Sequence, residues 1–180
     1  MRYVLIISML FAMCLAAFAE NGHEIIFGGT VAYGVSPTDT RLKPLSKMNV
    51  DFYPGGKNIG ISYDLGYRHA KFFTMKPFTA DHSELTHSFA LVVRLRDEGR
   101  FQPTIRAGAM RFLGHTRVRR FGETLIDAND GKFMPMVSLR VNIRVWKHLM
   151  LVPEVEASDF PRPAYNAGVG IAYNFNFGRK

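Results

Sequence analysis

The most regular feature of the chain is an alternation of apolar and polar residues. Between Phe133 and Val145 every second residue is apolar or proline, and the positions between them include Arg140, Asn142 and Arg144. Successive side chains of a β-strand point to opposite faces of the sheet. This stretch therefore predicts a strand with one apolar face and one largely cationic face.

The same alternation recurs along the rest of the chain and predicts an all-β fold. Eight strands are expected, at 24–36, 44–53, 58–72, 84–96, 101–113, 132–145, 149–158 and 164–178. Beyond residue 19 no apolar run approaches the roughly 20 residues that a transmembrane helix needs. Helical spacing of apolar residues is equally hard to find there.

The connections between these strands alternate between short and mostly longer segments. The short ones are 54–57, 97–100 and 146–148, and the others are 37–43, 73–83, 114–131 and 159–163. Short turns at one end and longer loops at the other are typical of an up-and-down transmembrane barrel. The sequence therefore predicts an eight-stranded antiparallel barrel with both termini at the short-turn end.

The parity of the sixth and seventh strands also predicts how they pair. Polar residues occupy even-numbered positions in both strands, so the numbers of two paired residues must add to an even sum. The permitted registers place Arg140 opposite either Glu154 or Glu156. We therefore expect an ion pair between these two strands.

The first 19 residues differ from the rest of the chain. Arg2 precedes an apolar stretch that ends in Ala17-Phe18-Ala19, which predicts a secretory signal peptide (1–19) cleaved before a single domain (20–180). A retained membrane anchor is the alternative, but the apolar run is short for a membrane span. Cys14 is the only cysteine, so the mature domain would contain no thiol.

The charge of the chain bears on its partners. There are 23 Lys and Arg against 15 Asp and Glu, and removal of Arg2 with the signal peptide leaves 22 − 15, or +7. The sequence has no lysine-rich run or RNA-binding motif, so we expect no nucleic-acid partner. For an exported basic protein, anionic lipopolysaccharide is the better candidate.

The last predicted strand carries the most specific pattern. Asn166 and Gly168 are followed by Ile171 and Tyr173, and this order resembles the closing strand and assembly signal of bacterial outer-membrane barrels. The mature chain as a whole is similar in architecture to the small eight-stranded barrels of the OmpA and OmpX type. The resemblance implies a porin-like, monomeric barrel domain in a Gram-negative outer membrane, surrounded by lipid, inserted by the barrel-assembly machinery, with periplasmic termini.

In that orientation the polar faces of the strands line the barrel interior. The expected interior cluster consists of Asp51, Asp64, Arg68, Arg94, Arg96, Arg106, Arg140, Arg144, Glu154 and Glu156. Side chains fill the interior of an eight-stranded barrel, which favours a packed core of ion pairs. A narrow anion-preferring channel lined by the arginines is the alternative.

The longest predicted loop, 114–131, carries a second basic group. Arg117, Arg119 and Arg120 are candidates for contact with lipopolysaccharide phosphates, since guanidinium groups bind phosphate in a bidentate manner. Simple solvation of these arginines is equally compatible with the sequence. The run Asp127–Gly131 predicts a turn rather than a cation site, because it lacks the full spacing of a calcium loop.

Catalysis is the remaining alternative. Some small outer-membrane barrels, the lipid A deacylases and palmitoyltransferases, use serine, histidine and acidic residues, and the candidates here are His82, Ser83, Glu84, His87, Ser88 and His115. Neighbouring residues such as His87 and Ser88 point to opposite faces of a strand, which is poor geometry for a nucleophile and its base. We therefore predict no catalytic, cofactor-binding or metal-binding residues, and a structural or surface-interaction role.

Overall fold

The computed structural model describes residues 22–36, 39–75, 78–96, 99–161 and 163–177. The predicted signal peptide, 1–19, lies outside the described residues. Within the described ranges, no helix is long and apolar enough to cross a membrane.

Eight antiparallel strands form a closed barrel in which each strand pairs with its neighbours in the sequence and the last pairs with the first. The strands are β1 (Glu24–Ser36), β2 (Asp39–Tyr53), β3 (Ile59–Met75), β4 (Phe78–Arg94), β5 (Phe101–Arg120), β6 (Glu123–Trp146), β7 (Leu149–Ser158) and β8 (Ala164–Asn176). This arrangement confirms the predicted fold class and strand order.

Most of the segment predicted as the longest loop is strand instead. The ladder between β5 and β6 continues to the pair Arg120 and Glu123, so only Phe121-Gly122 connects the two strands. Both turn residues have positive φ, 51° and 89°, as a two-residue hairpin turn requires. The prediction for 114–131 was wrong because neither face of this hairpin is consistently apolar, so the alternation on which the strand prediction depends is missing. Similar strand extensions replace most of the predicted loops 37–43 and 73–83.

The predicted register between β6 and β7 is confirmed. Arg140 is paired with Glu154, and the ladder from Met136–Ser158 onward keeps the even sum until a shift after Arg144. The Arg140 Nη2 atom lies 3.3 Å from Glu154 Oε2. Side-chain parity thus excluded the odd registers, and the structure selects Glu154 from the two partners that parity left open.

Apolar side chains cover the outer wall of the barrel and form what we call the apolar belt. Phe89 is 69% exposed and Leu91 is 63% exposed. The belt also includes Val31, Ile61, Ile105, Val137, Leu139, Val155, Val169 and Ile171. Exposed apolar surface on this scale marks a wall that contacts other apolar groups rather than water.

The ladder formed by β3, β4, β5 and β6 continues beyond the last described pairs with the neighbouring strands β2 and β7, and we call this part the projecting sheet. The last described pair between β6 and β7 is Met136 with Ser158, whereas β6 itself begins at Glu123. On the other side, the described pairs between β2 and β3 end at Ser46–Tyr67. The projecting sheet comprises 68–75, 78–84, 114–120 and 123–130.

Candidate functional site

The barrel interior contains a buried network of charged side chains centred on Arg140. This guanidinium is 2.9 Å from Asp51 Oδ2 through Nη1 and 3.3 Å from Glu154 Oε2 through Nη2. Arg106 donates from Nη1 to Asp64 Oδ1 at 3.0 Å and makes a second hydrogen bond to the same carboxylate. The inward positions of five strands, β2, β3, β5, β6 and β7, bring these groups together.

Lys47 completes this network and is not among the interior residues predicted from the sequence. Its Nζ atom lies 2.8 Å from Glu156 Oε2 and 3.2 Å from Glu154 Oε1. Lys47 is four residues from Asp51 on β2, and residues separated by an even number share one face of a strand. The placement of Asp51 in the interior was therefore a sufficient signal for Lys47 as well.

The structure brings most of the predicted interior cluster together. Seven of its residues are buried inside the barrel: Asp51, Asp64, Arg94, Arg106, Arg140, Glu154 and Glu156. Arg68 is half-buried, with Nη1 3.1 Å from Glu84 Oε2. The prediction was wrong for Arg96 and Arg144, which are exposed. β4 ends at Arg94, so Arg96 lies in the following turn, and Arg144 lies near the end of β6 where the interior opens to solvent.

The sign of the interior charge also differs from the expectation. Among the described residues, the buried charged groups are the five acids Glu24, Asp51, Asp64, Glu154 and Glu156 and the four bases Lys47, Arg94, Arg106 and Arg140. The formal sum of these groups is therefore −1, where the sequence predicts an excess of positive charge. A lumen with this balance gives no basis for anion preference.

Three carboxylates of the network offer the only described grouping with the geometry of a metal site. Oxygen atoms of Asp64, Glu154 and Glu156 lie within 4.8 Å of one another. Lys47 and Arg106 already contact these same carboxylates. The negative charge of the three carboxylates is thus already balanced by Lys47 and Arg106, in the place where a metal ion would otherwise balance it. The three carboxylates are therefore part of the ion-pair network.

Apolar side chains close the interior on both sides of the network. At the short-turn side lie Ile26, Tyr53, Val92, Met150, Val152 and Ala172. At the side of the projecting sheet lie Met110, Met134 and Met136, with Phe112 packed against them. Arg94 packs against the first cluster. Its Cζ atom lies 4.1 Å from the centroid of the Tyr53 ring, and its Nη1 atom lies 2.8 Å from Glu24 Oε2. The two clusters and the ion-pair network are all made of buried side chains.

A chain of polar contacts joins the buried network to the projecting sheet. Asn166 Nδ2 donates to Glu156 Oε1 at 3.1 Å, and Arg68 Nη2 donates to Asn166 Oδ1 at 2.8 Å. Arg68 in turn contacts Glu84, which lies 3.0 Å from His82 Nε2. These contacts fix the orientation of the projecting sheet relative to the barrel.

The three arginines considered for lipopolysaccharide contact lie together on β5, on a strand rather than in a loop. Arg117 forms an ion pair with Asp127, with 3.1 Å between Nη2 and Oδ2. Arg120 stacks near two aromatic rings, 5.4 Å from the centroid of Phe78 and 5.7 Å from that of Phe121. Arg119 lies between them and is half-buried. The run Asp127–Gly131 belongs to β6, so the turn predicted there was wrong.

The structure places Ser83 opposite His115 in the β4–β5 ladder. The two ring nitrogens of His115 are directed elsewhere, since Nδ1 lies 2.8 Å from Asn129 Oδ1 and Nε2 lies 3.5 Å from Asp127 Oδ1. A general base must present a ring nitrogen to the nucleophile. The pair therefore lacks the arrangement needed for nucleophilic catalysis.

The remaining catalytic candidates are also held in other contacts. Ser88 donates to Asp64 inside the barrel at 3.2 Å, whereas His87 Nδ1 lies 2.8 Å from the Tyr63 hydroxyl on the outer wall. The expected opposite orientation of these neighbours is observed. His82 contacts Thr116 and Glu84 at 2.8 and 3.0 Å.

Several solved outer-membrane proteins share this architecture. Ail, the attachment invasion locus protein of Yersinia pestis, solved in complex with the heparin analogue sucrose octasulfate, gives a TM-score of 0.62 at 11% identity, over 87% of this chain and 99% of that one. A major outer membrane protein from Thermus thermophilus gives 0.64 at 8% identity, over 85% and 99%. Neisserial surface protein A gives 0.55 at 12% identity, over 86% and 97%.

At the level of sequence, neither a protein-family model nor a curated protein matches the chain. The likeness therefore rests on the path of the backbone and on the number and order of the strands. The chain has the fold of the small eight-stranded outer-membrane β-barrels.

Proposed function

We propose that the chain is a closed, non-enzymatic outer-membrane barrel whose projecting sheet is its surface for interaction outside the cell. The observation that carries this proposal is the apolar belt outside a charged, ion-paired interior. A water-soluble barrel would expose its polar face instead. In the same proposal the short turns and both termini are periplasmic, residues 1–19 are removed on export, and the barrel is a monomer inserted by the barrel-assembly machinery.

The height of the belt fits a bilayer. The stretch of β5 from Phe101 to Arg111 spans about 33 Å at about 3.3 Å per residue. A strand tilt of about 40° reduces this to about 25 Å along the membrane normal, which is the height of the lipid-facing band of outer-membrane barrels. Phe101 and Trp146 lie exposed at the short-turn end, where aromatic residues mark the membrane–water interface.

A charge placed on the belt tests the membrane location. Val169 lies midway along β8 between Tyr165 and Tyr173 and is 54% exposed. We expect Val169→Arg to lower the free energy of unfolding in lipid vesicles by about 2–4 kcal/mol, because the side chain would enter the middle of the hydrocarbon. Urea titration, followed by the heat-modifiable electrophoretic mobility of the folded barrel, measures the change.

Leu125→Arg is the matched control for this substitution. Leu125 is also 54% exposed but lies on the projecting sheet, so the same change should leave the stability nearly unaltered. Equal effects of the two substitutions, or recovery of the wild-type protein in the soluble periplasmic fraction, would contradict the membrane proposal.

The projecting sheet has the chemistry to bind an anionic glycan, such as the phosphorylated sugars of lipopolysaccharide. Arg120 lies beside Phe78 and Phe121, and Phe121 is 80% exposed at the tip. Guanidinium groups bind phosphate or sulfate, and aromatic rings pack against the faces of sugars. Ail has the same fold and was solved with the heparin analogue sucrose octasulfate, and this supports the proposal that the projecting sheet binds an anionic sugar.

The substitution Arg120→Gln tests this interaction. We expect about tenfold weaker binding of sucrose octasulfate by the purified barrel in detergent, because a charge-assisted contact is lost. Calorimetric titration measures the affinity. Arg144→Gln removes the same charge at the opposite end and should leave binding unchanged. Equal losses in both variants would contradict a binding site on the projecting sheet.

A further inference from the structure

Three polar residues occupy neighbouring strands of the outer wall, at the upper margin of the apolar belt. The Tyr63 hydroxyl and His87 Nδ1 are 2.8 Å apart, and both side chains are half-buried. Arg111 is the cross-strand partner of His87 on β5 and is exposed. Its guanidinium lies 5.6 Å from the ring centroid of Phe133. This polar cluster stands directly above an otherwise apolar wall.

An apolar depression of about 540 Å³ begins at the same place and extends down the wall across β2, β3, β4 and β5. Tyr63 belongs to its lining, so the depression is continuous with the polar cluster. Ala107 and Gly108 of β5 form its base, because small residues leave space above the backbone of this strand. Its sides are formed by Val50, Phe52, Ile61, Phe89 and Leu91.

We propose that the cluster and the depression together form a binding site for a phosphorylated glycolipid of the lipid A type. Arg111 binds a phosphate group, the Tyr63–His87 pair hydrogen-bonds to a sugar hydroxyl or amide, and acyl chains occupy the depression. This inference rests on the proposed outer-membrane location. It assigns a lipid partner to a surface distinct from the projecting sheet.

The height of the cluster places it at the headgroups of the outer leaflet. Arg111 ends the stretch of β5 that spans about 25 Å of the bilayer, and an arginine at the interface costs only about 0–1 kcal/mol. Its guanidinium lies within cation–π distance of the Phe133 ring, which favours this orientation in the absence of a ligand. Such preorganisation reduces the entropy lost on binding, and a planar guanidinium suits bidentate contact with phosphate.

The width of the depression favours a lipid with several acyl chains. Four adjacent strands spaced about 4.8 Å apart present a surface about 14 Å wide between the outer two. A glycolipid with many chains covers this width, whereas a two-chain phospholipid covers only part of it. The hydroxyl of Tyr63 and the imidazole of His87 add hydrogen-bonding capacity that a glycerophosphate group alone would leave unused.

Native mass spectrometry of the purified full chain in detergent tests the site. The protein is incubated with equal amounts of bis-phosphorylated lipid A and phosphatidylglycerol. We expect preferential retention of lipid A, with one molecule per barrel. Arg111→Gln should reduce retention about tenfold, because a charge-assisted contact is lost. Ala107→Phe should reduce it as well, because the aromatic ring fills the depression without changing the charge.

Arg144→Gln is the matched control, since it removes an exposed arginine at the short-turn end, away from both proposed binding surfaces, and should retain lipid A at the wild-type level. Retention of phosphatidylglycerol equal to that of lipid A, or wild-type retention in both test variants, would overturn the site. The wild type and all variants are first checked for outer-membrane fractionation and heat-modifiable mobility. Failure of the wild type there contradicts the membrane proposal itself, whereas normal fractionation of the variants with unchanged lipid binding contradicts only this site.

Discussion

Replacing Arg140 with methionine should unfold a large fraction of the barrel population under conditions in which the wild type is folded. Arg140 is 1% exposed and contacts Asp51 and Glu154, with Asp64 3.7 Å away. Its removal leaves these carboxylates with less compensation inside a closed lumen. Breaking a buried ion pair by deleting one partner costs about 3–5 kcal/mol. Urea titration in lipid vesicles with heat-modifiable mobility as the readout measures the loss.

Two further variants separate the loss of charge from the loss of packing. Arg144→Met makes the same chemical change four residues further along β6, where the side chain is exposed, and it should have little effect. Adding Asp51→Asn to Arg140→Met removes one uncompensated carboxylate and should recover part of the stability. No recovery in the double variant, together with an equally large loss in Arg144→Met, would refute the ion-pair explanation.

The fold was predictable because its main signal is local. A strand with one face in an apolar environment repeats every two residues, and the predicted bounds of β1 and β7 agree with the structure. The same parity limited the partner of Arg140 to Glu154 or Glu156, and the first of these is observed. Neither prediction required knowledge of contacts between distant parts of the chain.

The alternation of apolar and polar residues failed to predict the strands where they leave the apolar belt. In the projecting sheet neither face has to be apolar, so the alternation disappears although cross-strand pairs such as Arg117 with Asp127 continue to stabilise the ladder. At the other end, parity assigned Arg144 to the inward face of β6 but did not show that it lies near the end of the strand, and Arg96 lies beyond the end of β4 altogether. Whether an inward side chain is buried depends on its distance from the end of the strand, and the alternation does not show where a strand ends.

The residues of the candidate lipid site could not be predicted to be neighbours from the sequence. Tyr63, His87 and Arg111 lie on three different strands. Whether they become neighbours depends on the registers between β3 and β4 and between β4 and β5. A shift of two residues in either ladder would keep every side chain on its correct face and still separate the cluster. The structure was needed to establish these registers.

Gly108→Ala should be the most damaging single-methyl substitution in the wall. A Cβ atom at this position would overlap the carbonyl oxygen of Phe89 and lie 2.6 Å from the Cα of Ala90. Both atoms belong to the backbone of β4, so neither can move aside as a flexible side chain would. The closed barrel also prevents β4 and β5 from separating without straining the other ladders. We expect a loss of about 2–3 kcal/mol, as for overpacking of a rigid core.

Gly29→Ala provides the matched comparison, because the nearest atom to its added methyl group is the carbonyl oxygen of Lys47 at 3.7 Å. Alanine also loses less backbone entropy on folding than glycine. Gly29→Ala should therefore be neutral or slightly stabilising in the same urea titration. If both variants unfold at the wild-type concentration of urea, β4 and β5 must be able to move apart at Gly108. The depression beside Gly108 would then be a compliant part of the wall, and its fit to acyl chains would depend on movement rather than on a preformed shape.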